Sequence, residues 1–318
     1  MAHEVEKMAY AGDVPWHGLG TRVPNDISVD DMLVRSGLDW TVSKQPIFRQ
    51  EILGLGEYAQ TQNFVIKDKV ALMRDSDNTV LDIVGTKWNP VQNHEAFDFF
   101  NQYIEAGNME LHTAGSLMNG KLTWVLAKVN DTFDVVPNDP VESYLLFSNP
   151  HKFGHSLNIR FTPTRVVCNN TLQLALSKQA TGVTLNHRSK FNADEVKNTM
   201  GLVTDAMEVY KEASQFLAHK PASTVDMNDY FKHLFPQKDL TKGNLPSRNH
   251  KKAMQALWEQ PGRDKGFGTW WHALNTVTYL YDHEIGRNKE SRLKSNWYGN
   301  AALEKRKAFD KALELANR

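Results

Sequence analysis

Hydrophobic and polar residues alternate with a period of two over much of the first half of the chain, which predicts β-strands. Segment 75–78 is rich in turn-forming residues, and Asn119–Gly120 is the favoured pair for a tight hairpin turn, so two hairpins are predicted. Pro46 suits an edge strand because it cannot donate a ladder hydrogen bond. The predicted strands are 40–48, 63–73, 80–84, 109–117, 122–129, 144–147 and 157–162.

Apolar residues recur at helical spacing after the third strand and again throughout the last third of the chain. Asn93 is a candidate N-cap for the first helix, and Gly107 lies just past its end. The predicted helices are 94–106, 169–178, 192–218, 226–234, 247–259, 269–284 and 301–316. We therefore expect an α+β fold: an antiparallel sheet with packed helices, followed by a mainly helical C-terminal region. The expected division is a sheet domain over 1–190 and a helical region over 191–318.

Composition narrows the class of protein. With 41% hydrophobic and 23% charged residues over 318 positions, the chain is neither disordered nor fibrous. A single cysteine excludes an internal disulfide framework and any zinc site of several thiolates, and it fits a reducing compartment. The first residues do not resemble a signal peptide, and no apolar run is long enough to span a membrane. We expect a cytoplasmic protein without membrane contact.

The formal net charge of zero conceals an uneven distribution along the chain. Residues 1–142 carry 11 Lys and Arg against 21 Asp and Glu, and residues 143–318 carry 26 against 16. Residues 143–193 contain no acidic residue at all. A basic region of this kind attracts phosphate chains, and its aromatic residues could stack on unpaired bases. The alternative is that the basic part packs against the acidic part, within one chain or between subunits.

Eight residues of the acid-free segment are the candidate nucleic-acid contacts. The basic side chains would contact phosphates, and the two phenylalanines would offer stacking surfaces. They are Lys152, Arg160, Arg165, Lys178, Arg188, Lys190, Phe153 and Phe161.

Other candidate motifs fail on composition or context. Residues 115–121 match the start of a phosphate-binding loop, but Leu122 stands where a Ser or Thr must ligate magnesium. His151 and His155 have helical spacing, but Gly154 and the preceding proline predict a loop, so solvated or phosphate-contacting histidines are favoured over metal ligands. No cofactor and no metal is therefore expected, and no catalytic residue is identified.

The segment after Gly266 places aromatic and polar residues four positions apart, as along one stripe of a helix. Trp271, Asn275, Tyr279 and His283 form this stripe. A packed helix with one satisfied asparagine is the ordinary interpretation, and a protein interface at Trp270–Trp271 is the alternative.

Several segments taken together resemble the family of phage/plasmid-like proteins, which is classed as domain of unknown function number 932. The resemblance implies an origin on bacterial phages and plasmids, and it brings no established catalytic residue. The segments are Gly12-Asp-Val-Pro-Trp-His-Gly-Leu-Gly20, Arg165-Val-Val-Cys-Asn-Asn-Thr-Leu172, Gly268-Thr-Trp-Trp271, Asn275-Thr-Val277, Asp282-His283 and Ser295-Asn-Trp-Tyr-Gly-Asn-Ala-Ala302.

These observations favour a nucleic-acid-binding protein that prefers single strands and has no catalysis of its own. A sheet crossed by a helix, with a basic track, is similar in outline to the single-strand annealing proteins of phage recombination, an analogy at the level of fold. The acidic part of one subunit would meet the basic part of the next and close a ring, so a homo-oligomer is expected. The alternatives are an enzyme acting on nucleic acid or nucleotides, with a pocket of carboxylates or histidines, and a structural or host-interaction protein.

Overall fold

A computed structural model describes residues 5–12, 20–54, 58–165, 170–171, 182–188, 200–237, 241, 245–286, 292, 295–297 and 299–318. The strands are β1 (Val5–Tyr10), β2 (Thr21–Arg22), β3 (Val42–Leu53), β4 (Gln60–Arg74), β5 (Thr79–Gly85), β6 (Met109–Leu117), β7 (Leu122–Asp134), β8 (Pro140–Pro150), β9 (Leu157–Arg165), β10 (Asn170–Thr171) and β11 (Gly182–Leu185). The helices are α1 (Val29–Arg35), α2 (Asn93–Glu105), α3 (Met200–His219), α4 (Thr224–Leu234), α5 (Arg248–Glu259), α6 (Trp270–Tyr279) and α7 (Asn300–Ala316). A single π-helical turn, Leu280–Glu284, continues α6.

The strands form two sheets, and the expected α+β class is confirmed. The larger sheet has the order β10–β9–β8–β7–β6–β1–β2, with β11 also paired to β9. Strand β1 is antiparallel to β6 and parallel to β2. The smaller sheet has the order β3–β4–β5 and is antiparallel throughout, so Pro46 lies on an edge strand as expected.

Both predicted hairpin turns form, because their residues tolerate left-handed backbone. Asn78 has a φ of 58° between β4 and β5. Between β6 and β7 the left-handed run is longer than a two-residue turn, since Met118, Asn119 and Gly120 all have positive φ. The positive φ at Gly120 favours glycine, and a Cβ there would also lie 2.8 Å from the Arg74 guanidinium, which would have to shift.

The chain forms two compact units. The first comprises 1–127, 146–159 and 183–196, and the second comprises 128–145, 160–182 and 197–318. The predicted boundary near residue 190 falls among residues outside the described part of the chain, and it stays a prediction.

In the first unit, helices α1 and α2 contact each other and strand β6. The apolar face of α2 packs on the sheet, where Phe99 and Phe100 lie 5.7 and 6.2 Å from the ring of Phe147 in β8. Asn93 does not act as the expected N-cap. Its buried amide donates instead to the carbonyls of Leu38 and Trp40, at 3.0 and 3.3 Å.

In the second unit, α6 is the central helix and contacts α3, α5 and α7. Its start is capped by the Thr269 hydroxyl, and α5 is capped in the same way by Ser247. The predicted helix 269–284 is α-helical only as far as Tyr279, and the π-helical turn continues it to Glu284. The predicted helix at 169–178 is wrong at its start, because Asn170–Thr171 pair with β9 as a strand, and 172–178 lie outside the described residues.

Candidate nucleic-acid interface

The loop between β8 and β9 carries an exposed aromatic residue among the sequence-predicted contacts that are described. The Lys152 carbonyl accepts a hydrogen bond from the His155 amide at 3.3 Å, and Gly154 has a φ of 78°, so 152–155 form a tight turn. Phe153 lies at the corner of this turn and is 62% exposed. The Asp82 carboxylate in β5 accepts a hydrogen bond from the Phe153 amide at 2.8 Å. The loop is thereby held to the smaller sheet with its ring directed to solvent.

A lysine side chain lies beside this ring. The Lys69 ammonium of β4 lies 5.6 Å from the centre of the Phe153 ring, and Lys152 precedes Phe153 in the chain. An exposed ring beside cations suits a base that stacks while its phosphates are neutralised.

Two more cations, Lys44 and Lys87, come from β3 and from the segment just after β5. Lys69 is opposite Gly85, and the Lys44 ammonium donates to the carbonyls of Thr86 and Trp88 at 3.2 and 3.1 Å. The exposed Lys87 lies between these two carbonyls in the chain. We call the set of five basic residues the cationic rim: Lys44, Lys69, Lys87, Lys152 and Arg188.

Arg188 joins the rim through contacts between residues 88–89 and 187–188. The Trp88 and His187 rings stack with centres 4.1 Å apart, and the Asn89 side chain donates to the Arg188 carbonyl at 3.2 Å. The Arg188 side chain is exposed. Among the described residues, none of the five rim cations forms an ion pair with a carboxylate.

The remaining predicted contacts do not belong to the rim. Phe161 is fully buried, so the expectation of a stacking surface there is corrected: it is a core residue of β9. Arg160 is half-buried in the second unit. Arg165 is the last residue of β9, and its side chain is not among those described. Lys178 and Lys190 lie outside the described residues.

The expectation of a solvated histidine at His151 is also corrected, because the side chain has no exposed surface. It is completely buried, its Nε2 lies 3.3 Å from the Asn93 Oδ1, and its ring lies 5.4 Å from that of Trp40. Burial lowers the pKa of His151 to about 3, with a smaller contribution from His187. The ring is therefore neutral at physiological pH.

Sequence reasoning missed three of the five rim cations, because Lys44, Lys69 and Lys87 come from the acidic part of the chain. Their segments show no basic run. The pairing of β3, β4 and β5 brings Lys44 and Lys69 into one sheet, and the Lys69 ammonium lies at the Phe153 ring. The net acidic balance of residues 1–142 therefore gave no sign of these lysines as candidate contacts.

The pocket expected of an enzyme has a counterpart in the second unit. An open groove of about 1170 Å³ runs between the end of α4, the start of α5 and α7. Its three carboxylates are paired with cations of their own helix: Glu304 with Lys307 at 2.7 Å, Glu314 with Lys311 at 2.8 Å, and Asp310 with Arg306 at 4.0 Å. Within the described part of the chain, no group of three or more His, Cys, Asp or Glu could hold a metal ion.

The tryptophan pair expected of a protein interface is internal. Trp270 and Trp271 are 6% and 1% exposed, and the Trp271 indole donates to the Asp139 carboxylate at 2.8 Å. The Asn275 amide donates to the Trp271 carbonyl one turn earlier, at 2.8 Å. Trp270, Trp271 and Asn275 are therefore interior residues of a packed helix.

Comparison with known families finds a match to the profile of the family described as Domain of unknown function (DUF932), over residues 80–297. Comparisons with curated proteins and with solved structures find no significant match. No helix among the described residues has the length and hydropathy that crossing a membrane requires.

Proposed function

Because the chain belongs to the DUF932 family, whose description assigns no activity, we propose from its own surface that it binds nucleic acid, prefers single strands and has no catalysis of its own. The observation that carries this proposal is Phe153, an exposed ring with the Lys69 ammonium 5.6 Å from its centre. Lys152 and the rest of the cationic rim add charge that no described carboxylate neutralises.

The mechanism is electrostatic capture followed by stacking. The rim cations replace counterions along the phosphate backbone, which gives affinity independent of base sequence. The Phe153 ring then stacks on an unpaired base, an interaction that duplex DNA cannot offer because its bases are already stacked. Strands held in this way keep base edges free for pairing, as annealing requires.

The origin of the protein, its cellular compartment and its oligomeric state are part of the same proposal. A phage or plasmid origin, the cytoplasm of a bacterial host and a homo-oligomeric state fit a protein that handles single strands during recombination. The resemblance to phage/plasmid-like proteins supports the first two features, and the opposed charges of residues 1–142 and 143–318 support the third.

The test is the fluorescence anisotropy of a labelled single strand of about 30 nucleotides, titrated with the full chain across a salt series. We expect Phe153→Ala to weaken binding about tenfold, since one stacked base contributes on the order of 1–3 kcal/mol. Lys69→Ala should reduce the slope of log affinity against log salt by about one.

Phe267→Ala is the matched control, because Phe267 is 55% exposed but lies in the second unit. It should bind as the wild type does. Absence of binding at about 50 mM salt, or affinity that does not change with salt, would contradict the proposal. Tighter binding of duplex than of single strand would contradict the preference.

A further inference from the structure

The outer part of the β3–β4 hairpin extends beyond β5. Strand β5 pairs with β4 only over residues 69–74, whereas β3 and β4 continue as a two-stranded ribbon over 48–53 and 60–65. Every residue of this ribbon is exposed except Glu51 and Phe64, which are half-buried. We call it the β-arm. A two-stranded ribbon with both faces in water has little stability of its own, so a partner would stabilise it.

The chemistry of the β-arm indicates a protein partner. Phe48, Ile52 and Val65 are 53%, 73% and 54% exposed, and Phe48 is directly opposite Val65 on one face. The charged residues Arg49 and Glu51 of β3 form an ion pair with each other, so the arm has no excess of positive charge for phosphate. Exposed apolar surface without net charge favours burial against another protein surface.

The exposed edge of β3 identifies that partner. Strand β3 is the edge of its sheet, and its sequence Ile47-Phe-Arg-Gln-Glu-Ile-Leu53 is nearly symmetric about Gln50. We propose that β3 pairs antiparallel with β3 of a second copy of this chain, with the two-fold axis at Gln50. Arg49 then lies opposite Glu51 of the second copy, and Phe48 lies opposite Ile52.

In this register every residue pair across the interface occurs twice, once on each side of the axis, as a two-fold interface requires. Opposite charges face each other twice and an aromatic residue faces a β-branched one twice, which are the stabilising cross-strand pairs. Pro46 and Gly54 would be opposite each other beyond the paired segment. Proline lacks the N–H for another ladder bond, and Gly54 has a φ of 92°, so both ends of the pairing are bounded.

Two paired strands bury less than the about 1,200 Å² of a standard interface, so we expect a dimer of micromolar affinity. Sedimentation of the full chain between about 1 and 100 μM, without nucleic acid, tests the pairing separately from the proposed function. Glu51→Arg puts two arginines opposite each other at both symmetric positions and should weaken the dimer about tenfold or more. The double variant Arg49→Glu with Glu51→Arg restores opposite charges and should recover the wild-type affinity.

A crosslinking pair tests the register. In a Cys168→Ser background, Gln50→Cys lies on the two-fold axis and should form a disulfide-linked dimer under mild oxidation. Gln62→Cys is opposite Glu51 on β4 of the same arm, three strand spacings across and two residues along from its symmetric copy, about 16 Å away, and should not.

Three results would overturn the proposal. The first is a chain that remains monomeric at 100 μM, and the second is a dimer that Glu51→Arg does not weaken, or whose weakening the double variant does not reverse. The third is equal crosslinking of Gln50→Cys and Gln62→Cys. Circular dichroism and thermal melting of each variant establish that it is folded, which the exposure of these positions leads us to expect.

Discussion

Single residues decide how the polar interior of the first unit is satisfied. The Asn93 Oδ1 faces the Thr123 hydroxyl at 3.2 Å and the His151 Nε2 at 3.3 Å, while the Asn149 amide donates to the Val91 carbonyl at 2.8 Å. These buried groups connect α2 to β7, β8 and the segment before α2. The sequence marks Asn93 as a cap and His151 as a loop residue, because it cannot reveal that residues about sixty positions apart meet.

His151 makes the stability of the protein depend on pH. Its pKa is about 3 in the folded state because the ring is buried, and about 6.5 in an unfolded chain. Below pH 6.5 the unfolded state binds a proton that the folded state excludes, so the free energy of unfolding falls as the pH falls towards 3. Between pH 7 and pH 5 this residue should contribute a loss of about 2 kcal/mol.

Urea unfolding at both pH values measures this loss. His151→Gln, which cannot titrate, should show a smaller decrease between pH 7 and pH 5 than the wild type. His94→Gln provides the control, because the His94 side chain is exposed on α2. An unchanged decrease in His151→Gln would show that other groups cause the pH dependence.

At the scale of elements, the helices of the second unit follow local signals closely. Helices α4, α5 and α6 begin within two residues of the predicted positions, because Ser223, Ser247 and Thr269 cap them from the adjacent chain. The π-helical turn after α6 was not predicted. It contains Asp282, whose carboxylate forms an ion pair with the Lys305 ammonium of α7 at 2.7 Å. Both side chains are buried. This contact joins elements more than twenty residues apart.

Removing one member of this buried pair should destabilise the protein strongly. Asp282→Asn leaves the Lys305 ammonium buried beside a neutral amide, and we expect a loss of about 3–5 kcal/mol in the free energy of unfolding. Lys307→Met is the matched control on the same helix, since Lys307 pairs with Glu304 at the surface, and it should change stability by less than about 1 kcal/mol. Denaturant unfolding of both variants decides; equal losses would contradict the distinction.

At the scale of the whole molecule, each compact unit is assembled from segments that are far apart in the sequence. The second compact unit contains 128–145 and 160–182 as well as 197–318. Within it, Phe133 of β7 lies 6.1 Å from Tyr210 of α3, and Asp139 accepts the Trp271 hydrogen bond. A helical region cut at residue 190 would lose these partners.

We therefore expect that residues 191–318 produced alone do not fold cooperatively, because Trp271 and Tyr210 would lose their apolar and polar contacts. Thermal melting followed by circular dichroism, with the full chain as control, measures this. A sharp melting transition of the isolated segment would instead support a domain boundary near residue 190.

The sequence by itself determined the class of fold, the hairpin turns and most helix starts, since each depends on residues a few positions apart. It also pointed to Lys152, Phe153 and Arg188. Only the tertiary structure decided that Phe161 is core while Phe153 is exposed, and that lysines of the acidic part join the cationic rim. Only the tertiary structure shows that the β-arm is exposed to solvent. The physical reason is the same in each case: exposure and charge neighbours depend on which distant strands pack together, and a local pattern contains no information about that packing.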